Sequence, residues 1–252
     1  GTTGEFYAHD MGFYREVLAV TKDAVRGRMD IYAGANNITT RGAVEIAKAV
    51  EQVGGIDALS VLTPMFVSQT QYEVSEYYRE IASETNLPII IYNNRPKTNV
   101  TVEPATVAKL AEIDNIIGVK DSTGDMTNTE EYLRLTRGMD NFHVMMGRDT
   151  LIYAALCYGA SGAIASCANV APKIAVEIYE KFRAGDAAGA LDAQFRFSAL
   201  RIATNMGTFP VVLKEALKLI GHDCGDCVKP IQPLNDEQRV RLKKVLVDMG
   251  LL

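Results

Sequence analysis

Ile116-Ile117-Gly118-Val119-Lys120-Asp121-Ser122-Thr123-Gly124-Asp125 joins an apolar run to a polar turn and sets a lysine at the junction. An apolar run of this length, halted by turn residues, reads as a buried strand of a parallel sheet. Side chains alternate along a strand, so Ile116, Gly118 and Lys120 share one face. A lysine at the mouth of such a strand is costly unless it is used. Desolvation disfavours the ammonium form and leaves a nucleophilic amine. That amine can attack a ketone and form a Schiff base, which then serves as an electron sink. The plain alternative is a lysine whose stem lies on apolar surface while its head reaches water.

A second strand end bears on the choice. Leu87-Pro88-Ile89-Ile90-Ile91-Tyr92-Asn93-Asn94 is another apolar run, and it closes in a phenol. If the two strands are parallel neighbours, Tyr92 and Lys120 emerge at one rim. A phenol beside an imine-forming amine can shuttle protons. Otherwise Tyr92 is a core tyrosine whose hydroxyl finds a backbone partner.

Working outward, strands are predicted over 30–34, 58–63, 88–92, 116–120, 143–146 and 162–166. Amphipathic helices are predicted over 40–53, 71–85, 103–112, 129–137 and 150–158. Thr39-Thr40 and Glu103-Pro104 read as helix starts, and Gly54, Asn86 and Gly159 as helix ends. Strand–helix repetition at about 30-residue spacing is the mark of βαβ units on a parallel sheet. After the last strand only helices are predicted, over 172–184, 187–206, 210–220 and 236–249. The first residues, Gly1-Thr2-Thr3-Gly4-Glu5, read as a loop just past a strand end. Two further strands ahead of it would complete the eight of a barrel. The expectation is therefore a (β/α)8 TIM barrel over 1–185, its first two strands outside this sequence, followed by a helical C-terminal extension over 186–252.

Composition narrows the function. The 252 residues are 48% apolar and 23% charged, with a net charge of −5, the balance of an ordinary globular protein. The acidic balance argues against nucleic acid or an anionic membrane as partner. No apolar stretch approaches the roughly 20 residues that span a bilayer, and a cytoplasmic location is expected. The four cysteines are too few for a disulfide scaffold. Cys224-Gly225-Asp226-Cys227 stands alone, without a second pair or a histidine pair at zinc spacing; a redox role is open to it, but it lies in a Gly/Asp-rich loop away from any strand-to-helix opening and reads as mostly inert. The three histidines are scattered, and neither a Ser-His-Asp arrangement nor a metal site is expected. No G-x-G-x-x-G follows a strand, which argues against a dinucleotide-binding enzyme.

Five segments together carry a resemblance: Gly1-Thr2-Thr3-Gly4-Glu5, Leu62-Thr63-Pro64, Tyr92-Asn93, Gly118-Val119-Lys120-Asp121 and Gly162-Ala163-Ile164. In that order and spacing the chain resembles the dihydrodipicolinate synthase / N-acetylneuraminate lyase family of Schiff-base aldolases. The resemblance implies a barrel with a helical tail, a tetramer built as a dimer of dimers, and chemistry on a keto acid without metal or organic cofactor. It implies that Lys120 forms the imine and that Tyr92 moves protons. Thr2 and Thr3 would hold the substrate carboxylate, with Thr3 also in the proton relay. Gly162 and Ile164 would line the pyruvate pocket.

Three departures from the synthases stand out. Met65-Phe66 replaces a tyrosine pair, so a hydroxyl that crosses between subunits is missing. Lys97 stands where the synthases place an arginine for the second substrate's carboxylate, with Arg95 nearby. Gly4-Glu5-Phe6 is similar to the sugar-acid branches. The expected function is thus cleavage or formation of a carbon–carbon bond to pyruvate, on a 2-keto-3-deoxy sugar acid. The alternative is 4-hydroxy-tetrahydrodipicolinate synthase, and a dehydratase would use the same imine. A non-catalytic keto-acid-binding protein is the alternative of another class, prompted by Phe66. The loop holding Met65, Phe66 and 69–72 is expected to pack on a second copy of the chain.

Overall fold

The strand–helix alternation takes shape in a computed structural model that describes residues 1–252. In chain order the main elements are α1 (Met11–Val25), β1 (Tyr32–Gly34), α2 (Thr40–Val53), β2 (Ala58–Leu62), α3 (Gln71–Ser83), β3 (Ile89–Asn93), α4 (Arg95–Thr98) and α5 (Pro104–Leu110). They continue as β4 (Ile116–Asp121), α6 (Met126–Leu135), β5 (His143–Met146), α7 (Ile152–Tyr158) and β6 (Gly162–Ala163). The helices α8 (Pro172–Arg183), α9 (Ala187–Ala203), α10 (Val211–Leu219) and α11 (Asp236–Asp248) close the chain. No helix is long and apolar enough to cross a membrane. The elements gather into two compact units, one made of Gly1 with residues 9–145 and the other of residues 2–8 with 146–252.

In the first unit the strands follow one another in sequence order, and β1 to β4 pair in parallel. The expected α/β class and parallel sheet are therefore present. Register sets the rows: Gly34 lies beside Ser60, Ser60 beside Ile90, and Ile90 beside Gly118. Two residues further on, Leu62, Tyr92 and Lys120 stand abreast. An irregularity between Ile89 and Ile90 brings β3 and β4 into this alignment. The opposite face carries Leu59, Val61, Ile89, Ile91 and Val119, all at 0% exposure and packed under Val50, Tyr78, Ile81, Val107 and Leu110 of the helices. Each such buried aliphatic side chain contributes about 1.5–3 kcal/mol relative to leaving it in water.

In the second unit Ile164 donates its N–H to the Met146 carbonyl at 2.9 Å, which ties β6 to the end of β5. The helices α8 and α9 pack on each other, burying Ile174, Ile178, Ala190, Ala193, Phe197 and Leu200. The helices expected after the last strand are present, each with bounds close to those read from the periodicity.

Several boundaries differ from expectation for local reasons. The first strand is shorter than 30–34 because the Asp57 carboxylate takes the Ile31 N–H at 2.7 Å in place of a ladder partner. The last strand keeps only Gly162 and Ala163, and Ser166–Asn169 turns into a 3-10 helix. Helix α6 begins at Met126, ahead of 129, because Asp125 caps it by accepting the Thr127 N–H at 2.9 Å. Helix α7 begins at Ile152, after a 3-10 turn over Asp149–Leu151. Helix α3 closes on Glu84 rather than Asn86, whose N–H goes to Glu51 at 2.8 Å. Helix α1 was absent from the predicted elements. It packs Leu18 into the core with Tyr14 and Val25 partly buried on the same face, a stripe that the reading from periodicity passes over.

Gly118 is a steric requirement of this sheet. A Cβ there would press into the His143 carbonyl oxygen, so β4 can lie this close to β5 only with glycine. Gly118→Ala should lower stability by about 1–3 kcal/mol through overpacking, read as an earlier urea midpoint. An unchanged midpoint would show that β4 tolerates the added methyl.

Candidate active site

The C-terminal edge of the first unit's strands is where parallel barrel-type sheets place their chemistry. There Tyr92 and Lys120 are register partners on β3 and β4. The Lys120 Nζ lies 4.0 Å from the centroid of the Tyr92 ring. This cation–π contact fixes the amine against the phenol. Tyr92 is 5% exposed and Lys120 half-buried. The Tyr92 hydroxyl accepts a hydrogen bond from Asn94 Nδ2 at 2.9 Å.

The strand ends are held by side chains pointing away from this pair. Asn93, at 0% exposure, donates to the Tyr132 hydroxyl at 2.7 Å, and its Oδ1 accepts the Val102 N–H at 3.2 Å. The Tyr132 hydroxyl in turn donates to the Val102 carbonyl. Burial pushes the Tyr132 phenol up, which keeps it a neutral donor. Asp121, also at 0% exposure, accepts from the Thr123 N–H at 3.0 Å, Asn128 Nδ2 at 3.1 Å and Thr129 Oγ1 at 2.7 Å. It thus pins the loop that leaves Lys120. Neither Asn93, Asp121 nor Tyr132 was singled out from the sequence as a functional residue. The signal for the first two is position, since each directly follows Tyr92 or Lys120.

The same edge holds buried polar atoms that no protein group satisfies: Asn36 Nδ2 after β1, Thr63 Oγ1 after β2 and Ser122 Oγ after β4. Buried polar atoms without protein partners are uncommon, and here they mark an edge suited to a polar ligand.

Arg95 and Lys97 lie on the short helix α4 and are exposed. They line a cavity of about 600 Å³ together with Asn99, Thr123, Asp125 and Asn128. Two bases, a carboxylate and several hydroxyl and amide groups face this space. Gln71 braces its rim, accepting from Glu103 N–H at 2.9 Å and Thr106 Oγ1 at 2.8 Å while donating to the Thr101 carbonyl at 2.8 Å. Asn99 reaches the neighbouring loop through Ser68 Oγ at 3.0 Å. In that loop Phe66 has a φ of +79° and is 90% exposed. A bulky residue in the left-handed region carries a cost of order 1–3 kcal/mol.

The remaining residues singled out from the sequence belong to the second unit. Thr2 and Thr3 are half-buried in a turn in which the Thr2 carbonyl accepts the Glu5 N–H at 3.2 Å. Gly162 is buried in β6 and Ile164 follows it. No group of three or more His, Cys, Asp or Glu side chains is placed to hold a metal ion.

Known proteins resemble this arrangement along the whole chain. Residues 1–249 match the sequence model of the dihydrodipicolinate synthetase family. The 4-hydroxy-tetrahydrodipicolinate synthase of Archaeoglobus fulgidus is 33% identical over 252 residues, covering 100% of this chain and 86% of the relative. The solved dihydrodipicolinate synthase of Thermotoga maritima superposes with a TM-score of 0.96 at 29% identity, covering 100% of this chain and 86% of that one. YagE of E. coli K12, a prophage protein of the same family solved in complex with pyruvate, gives 0.95 at 26% identity with the same coverage.

Asp121→Ala would strand the hydroxyl, amide and backbone donors that meet its carboxylate. Each unsatisfied buried group costs about 1–3 kcal/mol, so the variant should unfold at clearly lower urea. A midpoint equal to that of the parent would mean that the loop after Lys120 is held by other contacts.

Proposed function

The chain belongs to the dihydrodipicolinate synthetase family of Schiff-base lyases, and on that footing we propose that it joins pyruvate to aspartate semialdehyde through an imine on Lys120. The observation that carries this reading is the Lys120 amine held over the Tyr92 ring at a strand-end edge. In this reading the amine attacks C2 of pyruvate, and the carbonyl oxygen leaves as water. Loss of a C3 proton gives an enamine, and its C3 attacks the aldehyde carbon of the second substrate. Tyr92 supplies the proton to the new alkoxide. The amino group of the second substrate then displaces Lys120 from C2 and frees the amine.

The other residues take supporting parts. Thr2 and Thr3 offer hydroxyls and backbone N–H groups to the keto-acid carboxylate, with Thr3 in the proton relay. Gly162 and Ile164 line the pyruvate pocket through their backbone. Lys97 and Arg95, at the mouth of the 600 Å³ cavity, hold the carboxylate of the second substrate. A lysine does this as a point charge, without the two-pronged grip of arginine. The complete architecture in this reading is a (β/α)8 barrel, with the helical segment beginning near residue 186.

The relatives' names favour condensation over the sugar-acid cleavage expected from the sequence. Sugar-acid cleavage stays as the second reading because Phe66 lacks a hydroxyl and Thr123, Asp125 and Asn128 face the cavity with groups that bind hydroxyls. Phe66 also supports an assembly. Its exposure, with Val67 at 60% and Tyr72 at 73%, fits a two-fold contact with a second copy, within a tetramer built as a dimer of dimers.

The test is a coupled assay with pyruvate and aspartate semialdehyde, beside a panel of 2-keto-3-deoxy sugar acids scored for pyruvate release. Condensation without cleavage is expected, and cleavage without condensation would replace the first reading by the second. Tyr92→Phe should slow turnover about 10²–10⁴-fold, and unchanged turnover would remove Tyr92 from the mechanism. Phe66→Gly should relieve backbone strain yet shift sedimentation toward the monomer. A variant that sediments like the parent would place the contact elsewhere.

A further inference from the structure

The second unit carries a pair of thiols that the chemistry above does not use. Cys224 and Cys227 stand in Cys224-Gly225-Asp226-Cys227, between α10 and α11, where the chain has neither helix nor strand. Cys224 is exposed and Cys227 half-buried. Gly225 adopts a φ of +76° and donates its N–H to Asp223 Oδ1 at 2.9 Å. Lys214 of α10 reaches the Asp226 carbonyl, inside the motif, at 2.8 Å.

The same ammonium lies 2.6 Å from Glu5 Oε2. The other oxygen of that carboxylate accepts the N–H of Val228, the residue after Cys227, at 2.9 Å. Glu5 is 1% exposed at a φ of +54°, and its own N–H donates to the Thr2 carbonyl. One ion pair, its carboxylate buried and its ammonium half-buried, therefore clasps the cysteine loop to the turn that carries Thr2 and Thr3. The loop offers two grips to that clasp, a carbonyl within the motif and an N–H immediately after it. Burial, then the Glu5 charge, pushes the Cys227 thiol up to about 11, so Cys227 rests as a thiol while Cys224 is the one open to solvent.

We infer that Cys224 and Cys227 form a reversible disulfide whose closure loosens the Glu5 clasp and weakens keto-acid binding at the Thr2–Thr3 turn. The second half rests on the reading of Thr2 and Thr3 given above; the disulfide itself does not. Closing a C-x-x-C ring confines the two Cα atoms to about 4.4–6.8 Å and fixes the torsion at the sulfurs. The residues within and just after the ring must adapt to it. Those residues supply the Asp226 carbonyl and the Val228 N–H.

The oxidant is a low-molecular-weight disulfide. Cys224 loses its proton to solvent and attacks one sulfur, forming a mixed disulfide and expelling one thiolate. Cys227 then loses its proton and attacks Cys224 Sγ, breaking the mixed bond and expelling the second thiolate. Two protein thiols are oxidised, one small disulfide is reduced to two thiols, and the two protons end on these. A reducing dithiol reverses the exchange.

The full chain is incubated with oxidised glutathione, then denatured, alkylated and mapped by mass. Free thiols should fall from four to two, with Cys224 and Cys227 in one linked peptide and no covalent dimer on a non-reducing gel. Pyruvate binding, followed by calorimetry, should weaken about tenfold, as expected for loss of a charged hydrogen bond, and recover with dithiothreitol. Cys224→Ser and Cys227→Ser should bind pyruvate like the reduced parent before oxidation and form no internal bridge with the oxidant, and Cys227→Ser should instead hold glutathione on Cys224. Glu5→Gln should bind pyruvate as weakly as the oxidised parent. Thiols of Cys224 and Cys227 that stay free, a bridge between two chains, or a stable glutathione adduct on either of the two would overturn the disulfide. A closed disulfide with unchanged pyruvate affinity would overturn the link to the turn. If neither form binds pyruvate, the link falls together with the function proposed above, while the thiol count still judges the disulfide alone.

Discussion

The imine chemistry proposed for this chain depends on the alignment of β3 with β4, which puts Lys120 beside Tyr92. The alignment is fixed by packing rather than by the two side chains themselves. The irregularity at Ile89 and Ile90 sets the register, and Gly118 lets β4 approach β5 with no Cβ between them. A shift of one residue would send Lys120 to the face occupied by Val119 and Ile91. That face is closed by Tyr78 and Ile81 at 0% exposure, and no ammonium could be accommodated there without an anion.

The support around the pair follows a simple rule. Side chains on the strand-end face are left to the ligand, while the residues that directly follow turn outward and secure the loops. Asn93 and Asp121 are register partners as well, and each is satisfied by three hydrogen-bonding contacts or fewer, drawn from α6 and nearby loops. The strand ends that carry the reactive groups are thereby held by fully buried neighbours, in addition to the contacts that Tyr92 makes with Asn94 and Lys120.

Much of this was legible in the sequence. The strands that carry a tyrosine and a lysine one residue before their ends are readable because side-chain alternation and turn residues are local signals. So were the caps at Thr39, Gly54 and Gly159. What escaped was tertiary. Tyr132 lies 39 positions from Asn93, and nothing in the apolar pattern distinguishes it from a core tyrosine. The φ of +79° at Phe66 is invisible in a residue that does not usually adopt it. The tie between the cysteine loop and Glu5 escaped as well, because it runs through Val228, 223 positions from Glu5. Helix α1 starts at its Asp10 cap and turns Tyr14, Leu18 and Val25 toward the core, a pattern that was passed over.

The central claim is that Lys120 is the nucleophile. Incubating the chain with pyruvate, reducing with borohydride and mapping peptides by mass tests it most directly. The account predicts a single adduct, on Lys120, that is absent from Lys120→Ala. Labelling at Lys97 or Lys109 instead, or an adduct that persists in Lys120→Ala, would contradict it.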